Sequence, residues 1–262
     1  MTKLHYKWAI LGTGAIANEL AEAINSLGGA VYSVANRTYE KALAFAERYG
    51  IETVYKEVED LFEDSQVDII YIATPHNTHI HYLRKALAAG KHVLCEKSIT
   101  LNSKELEEAV TLAEKHQVVL AEAMTIYHMP LYRQLKELVD SGKLGPLRMI
   151  QMNFGSYKEY DMTNRFFSRQ LAGGALLDIG VYALSFVRWF MDETPDQLVS
   201  QVKLAPSGVD EQAGILLTNP SGQMASLTLS LRAKQPKRGL LAYEKGYIEI
   251  YDYPRGQEAV IT

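Results

Sequence analysis

Residues 6–17 read YKWAILGTGAIA, and this stretch decides the fold of the chain. A short apolar strand runs directly into Gly12-x-Gly14-x-x-Ala17, and apolar residues at helical spacing predict a helix immediately afterwards. A strand, a glycine turn and a helix N-terminus in this order build a dinucleotide-binding site. Gly12 permits the tight turn, Gly14 lets the backbone approach a pyrophosphate, and Ala17 lets the helix pack closely on the strand. The unpaired N–H groups of the helix start favour the phosphates.

The composition is that of an ordinary globular protein. Of the 262 residues, 47% are hydrophobic and 22% are charged, and the apolar runs are too short to span a bilayer, so no membrane association is expected. A net charge of −4 without a basic stripe predicts that nucleic acid is not a partner. No secretory leader is recognised. The single Cys95 cannot form an internal disulfide, so we interpret it as a buried residue and expect a cytoplasmic location.

The order of the predicted strands and helices indicates two domains. Strand-like and helical segments alternate over residues 1–121, which predicts an α/β Rossmann domain with a doubly wound parallel sheet that binds NAD(P). Over residues 122–262 short alternating segments follow one another with tight turns. This pattern predicts an α+β domain with a mostly antiparallel sheet.

The end of the second predicted strand bears on the choice of cofactor. It reads Ala35-Asn36-Arg37-Thr38 and carries no carboxylate. NAD sites usually place an acidic residue here to hold the ribose 2′-hydroxyl, whereas an arginine pairs with a 2′-phosphate. NADP is therefore preferred over NAD. The alternative is that Arg37 is a solvated charge or stacks on the adenine.

Three histidines, His76, His79 and His81, follow the fourth predicted strand. Their spacing permits a metal interpretation, but no acidic or thiol ligand lies nearby in the sequence, so no metal site is expected. Ligands bind at the carboxyl ends of parallel strands. This loop is therefore predicted to cover the nicotinamide half of the cofactor.

Two charged residues, Glu96 and Lys97, directly follow the fifth predicted strand. They would emerge at the same sheet edge as the histidine loop, because parallel strands end together there. The residues alone leave two interpretations open. The pair is either solvated or works above a nicotinamide.

A glycine-rich segment opens a predicted helix over residues 174–191, and it contains Asp178 and Tyr182. Four residues apart, these two side chains share a helix face. Gly180 between them lowers the stability of a helix by about 1 kcal/mol relative to alanine. A glycine at this place therefore indicates close approach by another backbone or a ligand. A functional carboxylate and phenol are favoured over the alternative, a buried helix whose Tyr182 hydroxyl merely finds a partner.

Together these motifs resemble the Gfo/Idh/MocA oxidoreductase family over essentially the whole chain. That family has Glu-Lys-Pro after the fifth Rossmann strand and Gly-Gly-Gly-x-x-x-Asp-x-Gly-x-His on a helix of the second domain. Here the corresponding residues are Glu96-Lys97 and the segment 173–182, GGALLDIGVY. Tyr182 stands in place of the histidine, as in the branch of dihydrodiol dehydrogenase and NADP-linked D-xylose dehydrogenase.

The chain departs from the family pattern at three points. Ser98 replaces the usual proline after Glu-Lys, and Tyr127 stands where the branch tends to carry arginine. Family members usually continue for several tens of residues more, so the second domain is expected to be incomplete relative to the family.

The resemblance implies a dehydrogenase that passes a hydride between the nicotinamide and a secondary alcohol or carbonyl of a small polyol, sugar or diol. It implies that Tyr182 transfers the hydroxyl proton, that Lys97 binds the substrate oxygen and that Asp178 orients the substrate or Lys97. Tyr157 and Arg165 become substrate-side candidates, and a homodimer is expected. The residues expected to bind the cofactor are Gly12, Thr13, Gly14, Ala15, Ile16, Asn36, Arg37, Thr74, Pro75, His76, Asn77, His79, Glu96 and Lys97.

Two alternative functions remain. One is a nucleotide-binding protein without catalysis, either a sensor or a degenerate paralogue. The other is an enzyme of the same fold that acts on a different carbonyl, such as an amino-acid or imine substrate.

Overall fold

A computed structural model describes residues 6–262 and divides the chain into two compact units. The division falls between Ala123 and Met124, near the predicted boundary between residues 121 and 122. Residues 1–5, which belong to the predicted first domain, lie outside the described residues.

The first unit alternates strands with helices. Its strands are β1 (Trp8–Leu11), β2 (Val31–Ala35), β3 (Thr53–Tyr55), β4 (Ile69–Ile72), β5 (His92–Cys95) and β6 (Leu120–Glu122). Its α-helices are α1 (Ala15–Ser26), α2 (Tyr39–Tyr49), α3 (Val58–Glu63), α4 (His79–Ala88) and α5 (Ser103–Lys115). A single 3₁₀ turn, His76–Thr78, precedes α4.

The six strands pair in parallel in the order β3-β2-β1-β4-β5-β6, which confirms the predicted doubly wound sheet. Buried residues such as Ala17 of α1 and Phe45 of α2 pack on one face, and Leu83 of α4 and Ala109 of α5 pack on the other. The strand order changes direction between β1 and β4. Ligands of such sheets bind where this change occurs, outside the carboxyl ends of the strands.

The second unit is built on a seven-stranded sheet. Its helices are α6 (Pro130–Asp140) and α7 (Val181–Phe190). Its strands are β7 (Leu147–Gly155), β8 (Gln197–Leu204), β9 (Asp210–Thr218), β10 (Met224–Ser230), β11 (Arg238–Tyr243), β12 (Tyr247–Tyr251) and β13 (Ala259–Ile261). Two 3₁₀ turns, Thr125–His128 and Arg169–Leu171, lie between these elements.

The sheet order is β13-β12-β11-β7-β10-β9-β8. Every pair is antiparallel except β7 with β10, which confirms the prediction of a mostly antiparallel sheet. Buried residues of α7, including Phe186 and Phe190, pack in one core with Ile150 of β7 and Leu227 of β10.

The predicted continuous helix over residues 174–191 is wrong in one respect. The chain first forms a π turn, Leu176–Gly180, and only then the α-helix α7. A Cβ added at Gly180 would meet the Cδ1 atoms of Leu176 and Leu229 at 2.9 Å. The widened turn therefore packs directly on β10. Wide turns of this kind occur frequently at functional sites.

One stretch, Arg169–Phe190, is long and apolar enough to cross a membrane by length and composition. Sequence analysis predicted no such span. Half of the most apolar window is buried inside the protein, and the side chains of Ala183, Phe186 and Phe190 belong to the core of the second unit. The core helix of a globular domain has the same properties.

Candidate cofactor and substrate sites

The glycine loop lies where the sheet of the first unit changes strand order. Gly12 has φ = +103°, and a Cβ there would lie 2.6 Å from the carbonyl oxygen of Ala73, which follows β4. Gly14 precedes α1 with an ordinary negative φ, and a Cβ added to it would meet nothing within 4 Å. The fold therefore requires glycine at position 12 but not at position 14. No side chain of residues 6–262 caps α1, so the loop suits the pyrophosphate of a dinucleotide.

The neighbouring strand β2 brings its end to this loop. The Gly12 N–H donates to the Ala35 carbonyl at 2.9 Å. Asn36 is held by its own turn, because its Nδ2 donates to the Thr38 carbonyl at 3.0 Å. Arg37 is exposed, and it forms no ion pair within residues 6–262. Its guanidinium is thus available to an anionic group of a bound ligand.

The loop after β4 is held from within by His79, which is fully buried. Its Nδ1 lies 2.8 Å from the Ser98 carbonyl oxygen, and its Nε2 lies 2.8 Å from that of Thr74. Burial lowers the pKa of His79, and the hydrogen bonds to the two carbonyls oppose this effect. Both ring nitrogens are thus engaged by the protein. His79 therefore holds the loop after β4 in place from within.

No metal centre is assembled by the histidine motif. His79 is buried between backbone carbonyls, whereas His81 is exposed. Among the described residues, no group of three or more His, Cys, Asp or Glu side chains could hold a metal ion.

The turn after β5 carries Lys97, and buried groups anchor it. Tyr71 Oη donates to Glu96 Oε1, and the Lys97 N–H donates to Glu96 Oε2 at 3.3 Å. Glu122 Oε1 accepts from the Ile99 N–H at 3.0 Å. Burial raises the pKa of both Glu96 and Glu122. Glu96 therefore contacts the interior of the first unit and positions Lys97.

Two further features lie at this turn. The Lys97–Ser98 peptide bond is cis. Cys95, at the end of β5, is buried as expected, and burial raises the pKa of its thiol well above the usual range. A raised pKa keeps a thiol protonated and unreactive.

In the second unit, Asp178 and Tyr182 lie on the π turn and the first turn of α7. Asp178 is 8% exposed, and its Oδ1 lies 3.8 Å from Nη1 of Arg165. The ring of Tyr182 packs against Phe154 and Tyr253, with centroids 6.0 and 6.4 Å away. Tyr253 Oη also donates to the Tyr182 carbonyl. The structure thus unites Arg165 with Asp178 and fixes the phenol of Tyr182 by packing.

The other substrate-side candidate, Tyr157, lies beside a further cation. The guanidinium of Arg232 lies 5.5 Å from the centroid of the Tyr157 ring and 4.0 Å from that of Tyr160. Arg165 covers Phe166 in the same way, at 4.2 Å. Guanidinium groups therefore cover three aromatic rings of the segment that precedes the π turn.

Sequence reasoning missed Asp210, at the start of β9. Its Oδ2 accepts from the Leu176 N–H at 2.6 Å, so it holds the beginning of the π turn. Gly174 has φ = +125°, and a Cβ there would overlap the Asp210 carboxylate. Burial raises the pKa of Asp210. The only signal in the sequence was a helix start that lacks a local capping side chain, which indicates a cap from elsewhere in the chain.

Comparison with known proteins defines the class. Residues 6–124 match the profile of an oxidoreductase family with an NAD-binding Rossmann fold, GFO/IDH/MocA. Residues 132–250 match the C-terminal domain of the same family. The chain belongs to the Gfo/Idh/MocA family of NAD(P)-dependent oxidoreductases, which confirms the resemblance found in its motifs.

Its relatives include two trans-1,2-dihydrobenzene-1,2-diol dehydrogenases. The enzyme of Xenopus laevis is 33% identical over 260 residues, which cover 98% of this chain and 78% of the relative. The enzyme of Mus musculus is also 33% identical, over 262 residues and the same shares. A solved aldose-aldose oxidoreductase from Caulobacter crescentus, complexed with glycerol, has a TM-score of 0.89 at 26% identity and covers 99% of this chain and 80% of its own.

The two glycines of the loop give a direct test of their different roles. Gly12→Ala should lower the free energy of unfolding by about 1–3 kcal/mol, because alanine is strained at positive φ and overlaps the Ala73 carbonyl. Gly14→Ala should change it by less than about 0.5 kcal/mol but weaken NADPH binding about tenfold, since overpacking a close contact costs about 1–3 kcal/mol. Urea unfolding and fluorescence titration measure the two effects. Unimpaired NADPH binding by Gly14→Ala would contradict the assignment.

Proposed function

We propose that this protein is an NADP-preferring dehydrogenase that oxidises a secondary alcohol of a small polyol, sugar or diol, and catalyses the reverse reduction. The observation that carries the proposal is the fixed phenol of Tyr182 on the π turn–helix segment, in a chain 33% identical to diol dehydrogenases over 98% of its length. The glycine loop supports the cofactor, because glycine at position 14 is explained by a ligand and not by packing of the chain.

In the proposed reaction each residue has one task. The nicotinamide, when bound, supplies or accepts the hydride. Tyr182 takes up the hydroxyl proton, Lys97 donates a hydrogen bond to the substrate oxygen, and Asp178 orients the substrate. A free phenol has a pKa near 10, so a positive charge at the reacting centre is needed to favour the phenolate. Lys97 is the proposed source of that charge. Arg165 and Tyr157 are proposed to bind the remainder of the substrate.

Removal of the Tyr182 hydroxyl tests the mechanism. Tyr182→Phe should lower kcat by about 10²- to 10⁴-fold, because it deletes the proton-transfer group, and should leave NADPH affinity nearly unchanged. Steady-state kinetics on diols and aldoses, with NADPH titration, measure both. Tyr243→Phe is the matched control, since the buried Tyr243 hydroxyl has no hydrogen-bond partner among the described residues. Undiminished turnover by Tyr182→Phe removes Tyr182 from the role.

The same assay separates the dehydrogenase from the alternative of a nucleotide-binding protein without catalysis. Tight NADPH binding without turnover of any diol, aldose or polyol would favour the sensor or degenerate paralogue. Turnover of an imine or amino acid alone would favour the other enzyme class.

The preference for NADP is proposed on the basis of Arg37. It is an exposed arginine that forms no ion pair with residues 6–262. It lies close to the strand end whose Ala35 carbonyl binds the glycine loop, and that strand end carries no carboxylate in the sequence. A guanidinium favours a 2′-phosphate over a 2′-hydroxyl by a charge-assisted hydrogen bond.

Arg37→Ala should weaken NADPH binding by about 10- to 100-fold and change NADH binding little, because hydrogen bonds to charged groups contribute about 1.5–3 kcal/mol. Nicotinamide fluorescence with each cofactor measures the ratio of affinities. Lys41→Ala, which removes an exposed cation of α2, serves as the control for lost surface charge. Equal losses for both cofactors in Arg37→Ala would indicate stacking on the adenine instead.

A homodimer through the outward face of the second sheet is also proposed. Apolar side chains alternate outward there, and Val199, Leu216, Met224 and Met149 are 70, 50, 41 and 39% exposed. Their strands are adjacent, since Leu216 pairs with Val199 and Met149 pairs with Met224. An apolar sheet face of this kind suits an isologous contact.

Leu216→Lys should convert a dimer to a monomer, because a buried unpaired charge opposes association. Light scattering after size-exclusion chromatography measures the mass. Leu43→Lys alters an equally exposed leucine of the first unit and should leave the mass unchanged. A wild-type protein that is monomeric at high concentration contradicts the proposal.

A cytoplasmic location is proposed because the one cysteine is buried and no disulfide stabilises the chain. Cell fractionation would test it, and recovery in a membrane or secreted fraction would overturn it.

A further inference from the structure

Lys237 lies at the end of the row of alternate residues of β11 that face the protein interior. Gly239, Leu241 and Tyr243 of this strand are buried, and a Cβ added at Gly239 would meet Cζ of Phe186 on α7 at 2.7 Å. The row therefore faces the helix that follows the π turn. By strand alternation, Lys237 is the next position of the same row, one residue before β11 begins. A charge at the end of an otherwise apolar row calls for a specific explanation.

Lys237 lies one aromatic ring away from the phenol of Tyr182. Its Nζ is 5.5 Å from the centroid of Phe154, whose ring packs against that of Tyr182. Its carbonyl accepts from the Tyr253 N–H at 3.3 Å, and the Tyr253 ring contacts both other rings. Lys237 is exposed, and within residues 6–262 no carboxylate forms an ion pair with it. The ammonium thus lies at the edge of the Tyr182 ring cluster and can bind a further anion.

The loop that carries Lys237 is firmly seated. Ser230 Oγ accepts from the N–H groups of Arg232 and Ala233 at 3.0 and 2.9 Å. A Cβ at Gly155 would lie 2.6 Å from both the Ala233 carbonyl oxygen and the Gln235 N atom, so the loop lies directly on the end of β7. The backbone of the loop that leads to Lys237 is therefore held in one position by these contacts.

Two carboxylates near this end of the sheet already have cationic partners. Asp178 lies beside Arg165, and the buried Glu211 pairs with Lys203 at 2.9 Å. The segment 232–238 contributes four cations and no carboxylate. Of these four, Arg238 pairs with Glu249. The local field therefore favours an anion.

From this arrangement we propose that Lys237 binds an anionic substituent of the substrate, a carboxylate or a phosphate. The inference rests on the proposed function and narrows its substrate class from neutral sugars and diols to polyols and sugars that carry a negative charge. A neutral hydroxyl gains little from an ammonium, whereas an anion forms a charge-assisted hydrogen bond with it. Lys237 is thus a specificity-determining residue, separate from the proton transfer by Tyr182.

Three sugars that differ only at one carbon provide the test. D-glucose, D-glucuronate and D-glucose 6-phosphate share a ring and carry a hydroxyl, a carboxylate and a phosphate, respectively. Wild-type protein should use at least one of the anionic sugars with a higher kcat/KM than glucose. Lys237→Met should lower kcat/KM for that sugar by about 10- to 100-fold through KM and leave glucose within about twofold. Lys237→Arg should retain the preference. The ratio of the two anionic sugars identifies which anion is bound.

Lys234→Met is the matched control, because Lys234 is an exposed lysine of the same loop. It should leave all three sugars unchanged. Equal loss of kcat for charged and neutral sugars in Lys237→Met would overturn the proposal and assign Lys237 an electrostatic effect on Tyr182.

Binding is measured in parallel, by calorimetry in the presence of NADP⁺, so that the proposal does not depend on turnover. Absence of turnover with preserved, Lys237-dependent binding of the anionic sugars would count against the dehydrogenase and support the anion site. Turnover of neutral sugars without any preference for the anionic ones would support the dehydrogenase and overturn the anion site.

Discussion

The close approach of Gly12 to the Ala73 carbonyl is the constraint on which the first unit depends. It joins the ends of β1 and β4, the two strands between which the sheet changes direction, with no side chain between them. The Gly12 N–H at the same time binds the end of β2. Three strand ends are thus brought to one point, and the loops that leave them carry the candidate cofactor residues. The glycine loop and the loop after β4 therefore owe their relative position to this backbone contact.

In the second unit, too, a glycine permits a close contact between a turn and a distant strand. At the start of the π turn, Gly174 makes room for the Asp210 carboxylate, which in turn binds the Leu176 N–H. A glycine again permits contact between a turn and a distant strand, and the contact sets the direction of the segment that carries Asp178 and Tyr182. Precise placement of such groups matters for catalysis, because small displacements of reacting groups cost rate.

Local sequence patterns were sufficient to predict the architecture of the first unit. The order of strand, glycines and helix around Gly12 has few other uses, and the alternation of elements is a property of neighbouring residues, so the parallel sheet was accessible from sequence. The roles of His79 and Asp210 were not. Each depends on partners remote in sequence, Ser98 for His79 and Leu176 for Asp210. Lys237 was not singled out from the sequence either, because its neighbour Phe154 lies far from it in the chain.

The one parallel pair of the second sheet has a consequence for how the protein forms. Strand β7 pairs with β10, so Met149 contacts Met224. In the sequence these two residues are separated by the π turn, α7, β8 and β9. Pairings between residues this far apart in sequence form slowly, because the entropy of closing a long loop is lost before the contacts compensate for it. The hairpin of β9 and β10 can form locally, whereas β7 must wait for it. The β7–β10 pair, which includes Phe154 beside Tyr182, therefore forms after the β9–β10 hairpin.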